Sequence, residues 1–277
     1  MAAGLPRPPA PSGGTAWRLE IHDSLDSTSD LCLARAARGE AAGLAVLARR
    51  QTRGRGSRGR EWQDPGGNLA FSVLLRPEGV AAWPVGLWPF IAGLAFHGAI
   101  APWIRDPALL RLKWPNDLLL GGRKMAGILI ESGEGRSGRW MVIGFGANLR
   151  AAPVVPGREL ACVADFGPPP APEDVARAIC RELDAWMAVC GGGGFEPVRA
   201  AWLARAHPVG TGLVVRGESG QVEGSFDGLD AQGMLLLRCA GGQRRISTGE
   251  ILLLEPGAAA PGTSGTRDGA RRAADGD

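Results

Sequence analysis

Residues 49–62 read R-R-Q-T-R-G-R-G-S-R-G-R-E-W, and the rest of the chain is organised around this stretch. Within residues 49–60 stand six arginines, three glycines and no acid. An apolar run at residues 44–48 precedes it, and Pro65-Gly66-Gly67 follow. Glycine this dense disfavours a helix, so the stretch reads as a loop leaving a strand. Six guanidinium groups with no local counter-charge repel one another, so the free loop is expected to be mobile. Guanidinium forks and glycine-exposed backbone N–H groups both suit phosphate, so the loop is expected to settle around a polyanion.

The chain has 277 residues and is 45% hydrophobic, enough for one large domain and one small one. Its formal net charge is only +3, so the arginines are a local concentration and a general nucleic-acid-binding role is disfavoured. Five cysteines are scattered without a C-x-x-C pair, and their odd number leaves at least one unpaired. That usage fits a reducing cytoplasm better than a disulfide scaffold or a zinc site. No apolar run approaches the ~20 residues of a membrane span, and the first 15 residues lack a signal-peptide core. The expectation is a soluble, cytoplasmic protein with no membrane partner.

Hydrophobic periodicity predicts strands at residues 17–22, 44–48, 68–76, 110–114, 117–120, 123–131 and 140–146. The strand at 68–76 alternates Leu69, Phe71, Val73 and Leu75, which predicts one buried face. Gly121-Gly122 reads as a tight turn. Asp26-Ser27-Thr28 supplies capping chemistry for a helix at 31–38, ended by Gly39. Residues 88–101 predict a central helix and 173–189 an amphipathic one. Glycines 191–194 read as a break before a short helix at 196–206. Short strands with glycine turns then predict a barrel-like β domain of about 50 residues. Residues 1–16 and 256–277 are expected to be disordered. The domains are therefore expected at 17–207 and 208–255.

The loop contains Gly54-x-Gly56-x-x-Gly59, the spacing of a dinucleotide fingerprint. That fingerprint needs a helix opening at its last glycine, and Pro65-Gly66-Gly67 leave no room for one. An RNA-binding patch is a second reading, but arginine–glycine patches of that kind usually sit in disordered tails, not between buried strands. A solvated loop is a third, against which alternate glycines point to close backbone approach. Lys113-Trp114-Pro115-Asn116-Asp117 carries an apolar strand into lysine, amide and carboxylate. Asp117 suits Mg²⁺ beside a triphosphate, while Pro115 and Asn116 equally suit a plain turn. Lys124 opens a strand next to the small residues Ala126 and Gly127. It either points into a pocket toward a carboxylate or phosphate, or snorkels to the surface. In Gly144-Phe145-Gly146-Ala147-Asn148, glycines close a strand before an amide that reaches a ligand or a turn.

In this order the motifs resemble the biotin protein ligase family. Its pattern Q-x-x-G-R-G-x-x-G-R-x-W stands here at residues 51–62, K-W-P-N-D at 113–117 and K-x-A-G-I-L-x-E at 124–131. G-x-G-x-N stands at 144–148, and D-S-T-N is present as D-S-T-S at 26–29. Gly228-Leu229-Asp230 and Gly233-x-Leu235-Leu236-Leu237 look like the family's SH3-like C-terminal domain. The resemblance spans residues 17–255.

The resemblance implies an α/β (α+β) fold: a catalytic domain of the biotin/lipoate ligase type on a mixed β-sheet, then a small SH3-like β-barrel. It implies ATP and Mg²⁺ as cofactors and biotin as substrate. Biotin and ATP give biotinyl-5′-AMP, which a lysine of a biotin carboxyl carrier protein then attacks. The catalytic residues implied are Lys124, Arg55 and Asp117. Biotin contacts fall on Ser27, Thr28, Ser29, Gln51, Gly54, Arg55, Gly56, Ser57, Lys124 and Gly127. Nucleotide contacts fall on Arg58, Arg60, Trp62, Lys113, Asn116, Asp117 and Asn148, with Asp117 the metal ligand. Relatives often carry arginine where Ser57 stands and asparagine where Ser29 stands. No tryptophan follows Asn148 to stack on adenine, and Phe166 is a poor substitute. About 16 residues precede the first strand, too few for a helix-turn-helix domain, so no specific DNA binding is expected. The state expected is monomer or homodimer. A lipoate–protein ligase of the same architecture and an RNA-binding protein using the arginine–glycine loop are the alternatives.

Overall fold

A computed structural model describes residues 14–77, 84–217 and 220–254 of the chain. The expected disorder at residues 256–277, and all but the last three residues of 1–16, lie outside this range. Residues 14–16 are described, and the backbone N–H of Thr15 donates to Asp184 at 3.1 Å.

Seven strands make one mixed sheet in the order β1-β2-β3-β7-β6-β5-β4. They are β1 (Arg18–His22), β2 (Leu44–Ala48), β3 (Leu69–Leu75), β4 (Leu110–Lys113), β5 (Asp117–Leu120), β6 (Arg123–Gly135) and β7 (Gly138–Ala147). Only β1 and β2 run parallel; the other pairs are antiparallel. Helix α1 (Thr28–Ala37) covers one face over a small core of Cys32, Ala36, Leu44, Val46, Leu74 and Val142. Helices α2 (Trp88–Ile100), α3 (Pro172–Gly193) and α4 (Phe195–Leu203) form a layer over the main core on the other face. Strand β3 therefore lies between two layers, and all seven of its residues are buried, not the single face predicted. Its alternation was genuine, but the even positions Ala70, Ser72 and Leu74 meet the α1 side instead of water.

Helix α2 is apolar all round because it is enclosed: 11 of its 13 residues are buried. With its flanking turns it forms the stretch Val85–Trp103, 19 residues of mean hydropathy 1.4. This corrects the expectation that no apolar segment approaches a membrane span; length and composition alone would allow one, and 61% of the stretch is buried inside the protein. Helix α3 continues through Gly191, Gly192 and Gly193 and ends at Gly194, at φ +68°. The predicted glycine break thus begins later, at a positive φ that glycine adopts without strain.

The C-terminal strands β8 (Gly212–Gly217), β9 (Gly220–Leu229), β10 (Leu235–Cys239), β11 (Gly242–Ile246) and β12 (Glu250–Leu253) form a small antiparallel SH3-like sheet ordered β11-β10-β9-β8-β12. Among the described residues β11 and β12 are its ends, so the ladder is not a closed barrel. It docks on the seven-stranded sheet through Trp114, whose indole donates to Gly233 O at 3.1 Å, and through Lys113, whose ammonium donates to Ile251 O at 3.0 Å.

Two of the three histidines are buried at the joints of this packing. Burial first, then the Arg205 charge, pushes His97 down to about 4. Burial first, then the Lys113 charge, pushes His207 down to about 4. Below pH ~6.5 the unfolded chain binds these protons and the folded chain does not, so stability falls as pH drops from ~6.5 toward 4. By pH 5 the loss is on the order of 2 kcal/mol for each histidine. Melting temperatures at pH 7.5 and pH 5 check this, and the decrease should shrink in His207→Phe.

Candidate active site

The N-terminus of α1, the arginine loop, β3, β6 and β7 enclose a cleft of about 490 Å³. Its floor is a hydroxyl–amide cluster. Ser27 caps α1, its Oγ accepting from the Asp30 N–H at 3.3 Å, which turns the next two side chains inward. The Thr28 N–H and Oγ1 donate to Gln51 Oε1 at 2.8 and 3.2 Å. Thr28 Oγ1 and Ser29 Oγ meet Ser72 Oγ at 2.7 and 3.0 Å. Sequence reasoning missed Ser72; a lone hydroxyl inside the apolar run of β3 was the available signal. Phe71, Ile128, Leu129 and Phe145 supply apolar walls. Gly144, on β7, leaves the floor open, because a Cβ there would stand 2.7 Å from Ser29 Oγ.

The arginine loop is folded over this cleft, with bridges Leu25↔Gln51 and Arg55↔Glu61 and a short turn at Ser57–Gly59. Its arginines are not uncompensated. Arg53 pairs with Asp26, and Arg60 meets Glu250 at 2.7 Å. Arg55 holds Glu131 through two bonds of 2.7 and 3.0 Å and reaches Asp30 at 2.8 Å. The expectation of a self-repelling loop is thus corrected: its counter-charges come from the segment before α1, from α1, β6 and β12. The exposed pairs are each worth about 0–1 kcal/mol, so they position the loop without locking it. Gly54 lies behind the cleft, where the chain crosses itself. A Cβ on it would come within 2.4 Å of Trp62 O. Trp62 covers Gly146, where a Cβ would come within 2.7 Å of the indole. The Trp62 Nε1 is buried without a hydrogen-bond partner, an unmet donor at the cleft wall.

At the cleft's open end, β5 begins at Asp117, paired in register with Gly127 of β6. Lys124 Nζ lies 2.6 Å from Asp117 Oδ1, and Lys113 Nζ 3.3 Å from Oδ2. Burial pushes the Asp117 carboxyl up, but the Lys124 and Lys113 ammoniums outweigh it and hold the group below the usual carboxylate range. Lys124 therefore faces the interior instead of snorkelling. A Cβ on Gly127 would stand 3.2 Å from its Nζ, so glycine makes the room. Asn116 has a structural task, its amide donating to Ile128 O at 2.7 Å.

Two expected roles do not fit. Asp117 has both oxygens on lysine ammoniums, and the described residues contain no group of three or more potential metal ligands. The residues present do not suit Asp117 as a Mg²⁺ ligand. Asn148 is buried and donates to Ala161 O at 3.1 Å; it lines neither cleft, although its Oδ1 is unpaired.

A second cleft of about 1340 Å³ opens outward between the catalytic sheet and β12. Arg58, Arg60, Lys113, Lys124 and Arg158 line it against Asp117, Glu159 and Glu250, so its lining is cationic on balance. Ser57, Asn116, Asp117 and Lys124 line both clefts, which are therefore continuous.

Comparison with known proteins covers both parts of the fold. The biotin/lipoate A/B protein ligase family matches residues 23–148, and the biotin protein ligase C-terminal domain matches residues 214–254. A biotin–[acetyl-CoA-carboxylase] ligase of Paracoccus denitrificans is 39% identical over 213 residues, 74% of this chain and 88% of that one. The chain belongs to the biotin protein ligase family. A second such ligase, of Mycobacterium tuberculosis, is 34% identical over 247 residues, 87% of this chain and 91% of that one. The structure of biotin protein ligase from Aquifex aeolicus in complex with biotin and ATP has a TM-score of 0.73 and 25% identity, covering 86% of this chain and 99% of that one. In this biotin protein ligase Ser27, Thr28, Ser29, Gln51, Arg55, Gly56, Ser57, Trp62 and Gly127 meet at the inner cleft. Arg58, Arg60 and Lys113 line the outer one alone.

Proposed function

We propose that this ligase adenylates biotin where the two clefts join and passes the biotinyl group to a lysine of a carboxylase's biotin carboxyl carrier protein. One observation carries the reading: Lys124 and Asp117 stand between a hydroxyl–amide pocket and a cationic cleft. A cyclic urea presents one acceptor and two donors, which the Thr28, Ser29, Gln51 and Ser72 groups complement. The valeryl chain lies along Phe71, Phe145 and Leu129 and brings the carboxylate to Arg55 and Lys124. The triphosphate occupies the outer cleft against Arg58, Arg60 and Lys113. Two anions are thereby brought together, and the charge that develops on the α-phosphate is met by fixed cations. No covalent enzyme intermediate is needed.

Magnesium, which ATP chemistry of this kind uses, would arrive on phosphate oxygens and water, and no step here is assigned to a protein-held ion. The adenine side offers the backbone and aliphatic wall of Leu119, Leu160 and Leu252; the one aromatic residue lining this cleft is Trp114, whose indole N–H is already bonded to Gly233 O. The reducing cytoplasm, where ATP and apo-carboxylases coexist, is the compartment assigned.

Biotin with MgATP should raise the melting temperature by linkage, while lipoate with MgATP or RNA should not. Intact mass of a carrier domain after incubation with biotin, MgATP and the ligase is the direct test. A carrier that stays at its apo mass while lipoyl transfer proceeds would overturn the assignment.

Ser57 decides how tightly the adenylate is kept. It lines both clefts, and its Oγ accepts from Arg60 Nη2 at 3.4 Å. A guanidinium in its place would add a charge-assisted bond to phosphate, stronger than a neutral one by roughly a factor of two. Ser57→Arg is expected to slow release of biotinyl-5′-AMP about ten-fold, equivalent to ~1.4 kcal/mol. Stopped-flow release of preformed adenylate from both forms checks it; equal rates would mean that Arg58 and Arg60 already supply the charge.

A further inference from the structure

The chain contains 29 arginines but only two lysines, Lys113 and Lys124. Both line the cleft assigned above to the nucleotide, and Lys124 also lines the biotin cleft. Both also bind one carboxylate, Asp117, through opposite oxygens at 3.3 and 2.6 Å. Apart from three histidines, every other basic side chain of the protein is a guanidinium, which is a poor nucleophile because it is effectively always protonated.

These facts bear on the product, since biotinyl-5′-AMP is a mixed anhydride. An amine lone pair attacks its acyl carbon, an amide C–N bond forms, the acyl C–O bond to phosphorus breaks, AMP leaves with that electron pair, and the nitrogen loses one proton to water. An ε-amine beside the anhydride would react as if present at up to ~10⁵ M or more. An ammonium donating to a carboxylate has no lone pair with which to begin.

We propose that Asp117 is a guard: by binding Lys113 and Lys124 together, it keeps the only two ε-amines in this chain from being acylated by the adenylate, and so reserves the anhydride for the acceptor lysine. The guard also explains how Asp117 serves the site without holding a metal. Asp117 remains ionised in its buried position because the two ammoniums outweigh desolvation. Lys124 has 25% and Asp117 13% of its side chain exposed, so water competes weakly for the pair. With no lysine anywhere else, adenylate that escapes finds no ε-amine on the protein's surface either.

This role rests on the function proposed above, but its test does not need the enzyme to make adenylate. Synthetic biotinyl-5′-AMP is added to the full chain without carrier, and label is located by peptide mapping, with the α-amino group scored separately. In folded wild type both lysines should stay unlabelled, while in urea both should label. Asp117→Asn should label at Lys124 about ten-fold faster or more, since the carboxylate that holds its Nζ at 2.6 Å is gone and the amine is free to turn toward the anhydride. Asp117→Glu, which keeps the charge, should restore protection. Melting curves establish that each variant is folded under labelling conditions. Label on either lysine of folded wild type at the urea rate would overturn the proposal, as would a folded Asp117→Asn as inert as wild type. The wild-type comparison holds without any variant. A protein that makes no adenylate from biotin and ATP, yet shows this labelling pattern, would fail the functional reading and keep the guard.

Discussion

Lys124→Ala is expected to lower biotin-dependent pyrophosphate release by about 30-fold to several thousand-fold, the equivalent of ~2–5 kcal/mol for removing one member of a desolvated charge pair. The size follows from position. Lys124 is the one cation that lines both clefts, so in the proposed reaction it alone would meet the carboxylate before adenylation and the phosphate afterwards. Arg55 stands on the biotin side only and is already divided between Glu131 and Asp30. Lys113 stands on the nucleotide side only and is tied to Ile251 O. Neither can be moved across the junction without breaking those bonds. The fold should survive, because Lys113 remains beside Asp117 at 3.3 Å and the backbone pairing of β5 with β6 does not involve the side chain. A pyrophosphate assay and a melting curve on the same sample separate lost chemistry from lost structure. Release at the wild-type rate would remove Lys124 from the site.

Much of this arrangement was legible before any coordinates. The strands that flank the site show their apolar runs, Gly121-Gly122 marks the turn between β5 and β6, and Gln51, Arg55 and Lys124 stand in recognisable spacings. What was not legible depends on partners far away in the chain. The acids that neutralise the arginine loop lie 25 to 190 positions from their arginines, as with Arg55–Asp30 and Arg60–Glu250, so the loop alone reads as a patch of bare charge. The second buried face of β3 depends on α1 packing over it, and so does the meaning of Ser72. Asp117 looks like a metal ligand by type; its lysine partners are only four and seven positions away, but which way their side chains turn shows only once the strands have paired. Asn148 misled in the opposite direction, because an amide at the end of a glycine-rich strand reads as a ligand contact until its bond to Ala161 O is seen.

The second large effect is expected from a methyl group. At Gly54 an added Cβ would lie 2.4 Å from the carbonyl oxygen of Trp62 and 3.0 Å from Gln51 Nε2. The first obstacle is backbone, and it belongs to the residue whose N–H donates to Gly54 O at 2.9 Å, so the two strands of the loop are already in contact and bonded. Ordinary separation of such atoms is ~3.5 Å, so Gly54→Ala must open the crossing by about 1 Å. That shift moves Arg55, the next residue, away from its place in the inner cleft, where the proposed reaction puts the biotin carboxylate, and lifts Trp62 from Gly146. It also disturbs the Gln51 amide that anchors Thr28. Misplacing reacting groups by about 1 Å costs on the order of 100-fold in rate, and that loss is expected in kcat/KM for biotin. Gly56→Ala is the comparison, since its Cβ would approach Arg60 O no closer than 3.2 Å and a few tenths of an ångström of relaxation accommodate it. Its loss should be smaller by about ten-fold, that is by ~1.4 kcal/mol. Equal effects at the two glycines would mean that general loop flexibility, not the contact between residues 54 and 62, holds Arg55 in place.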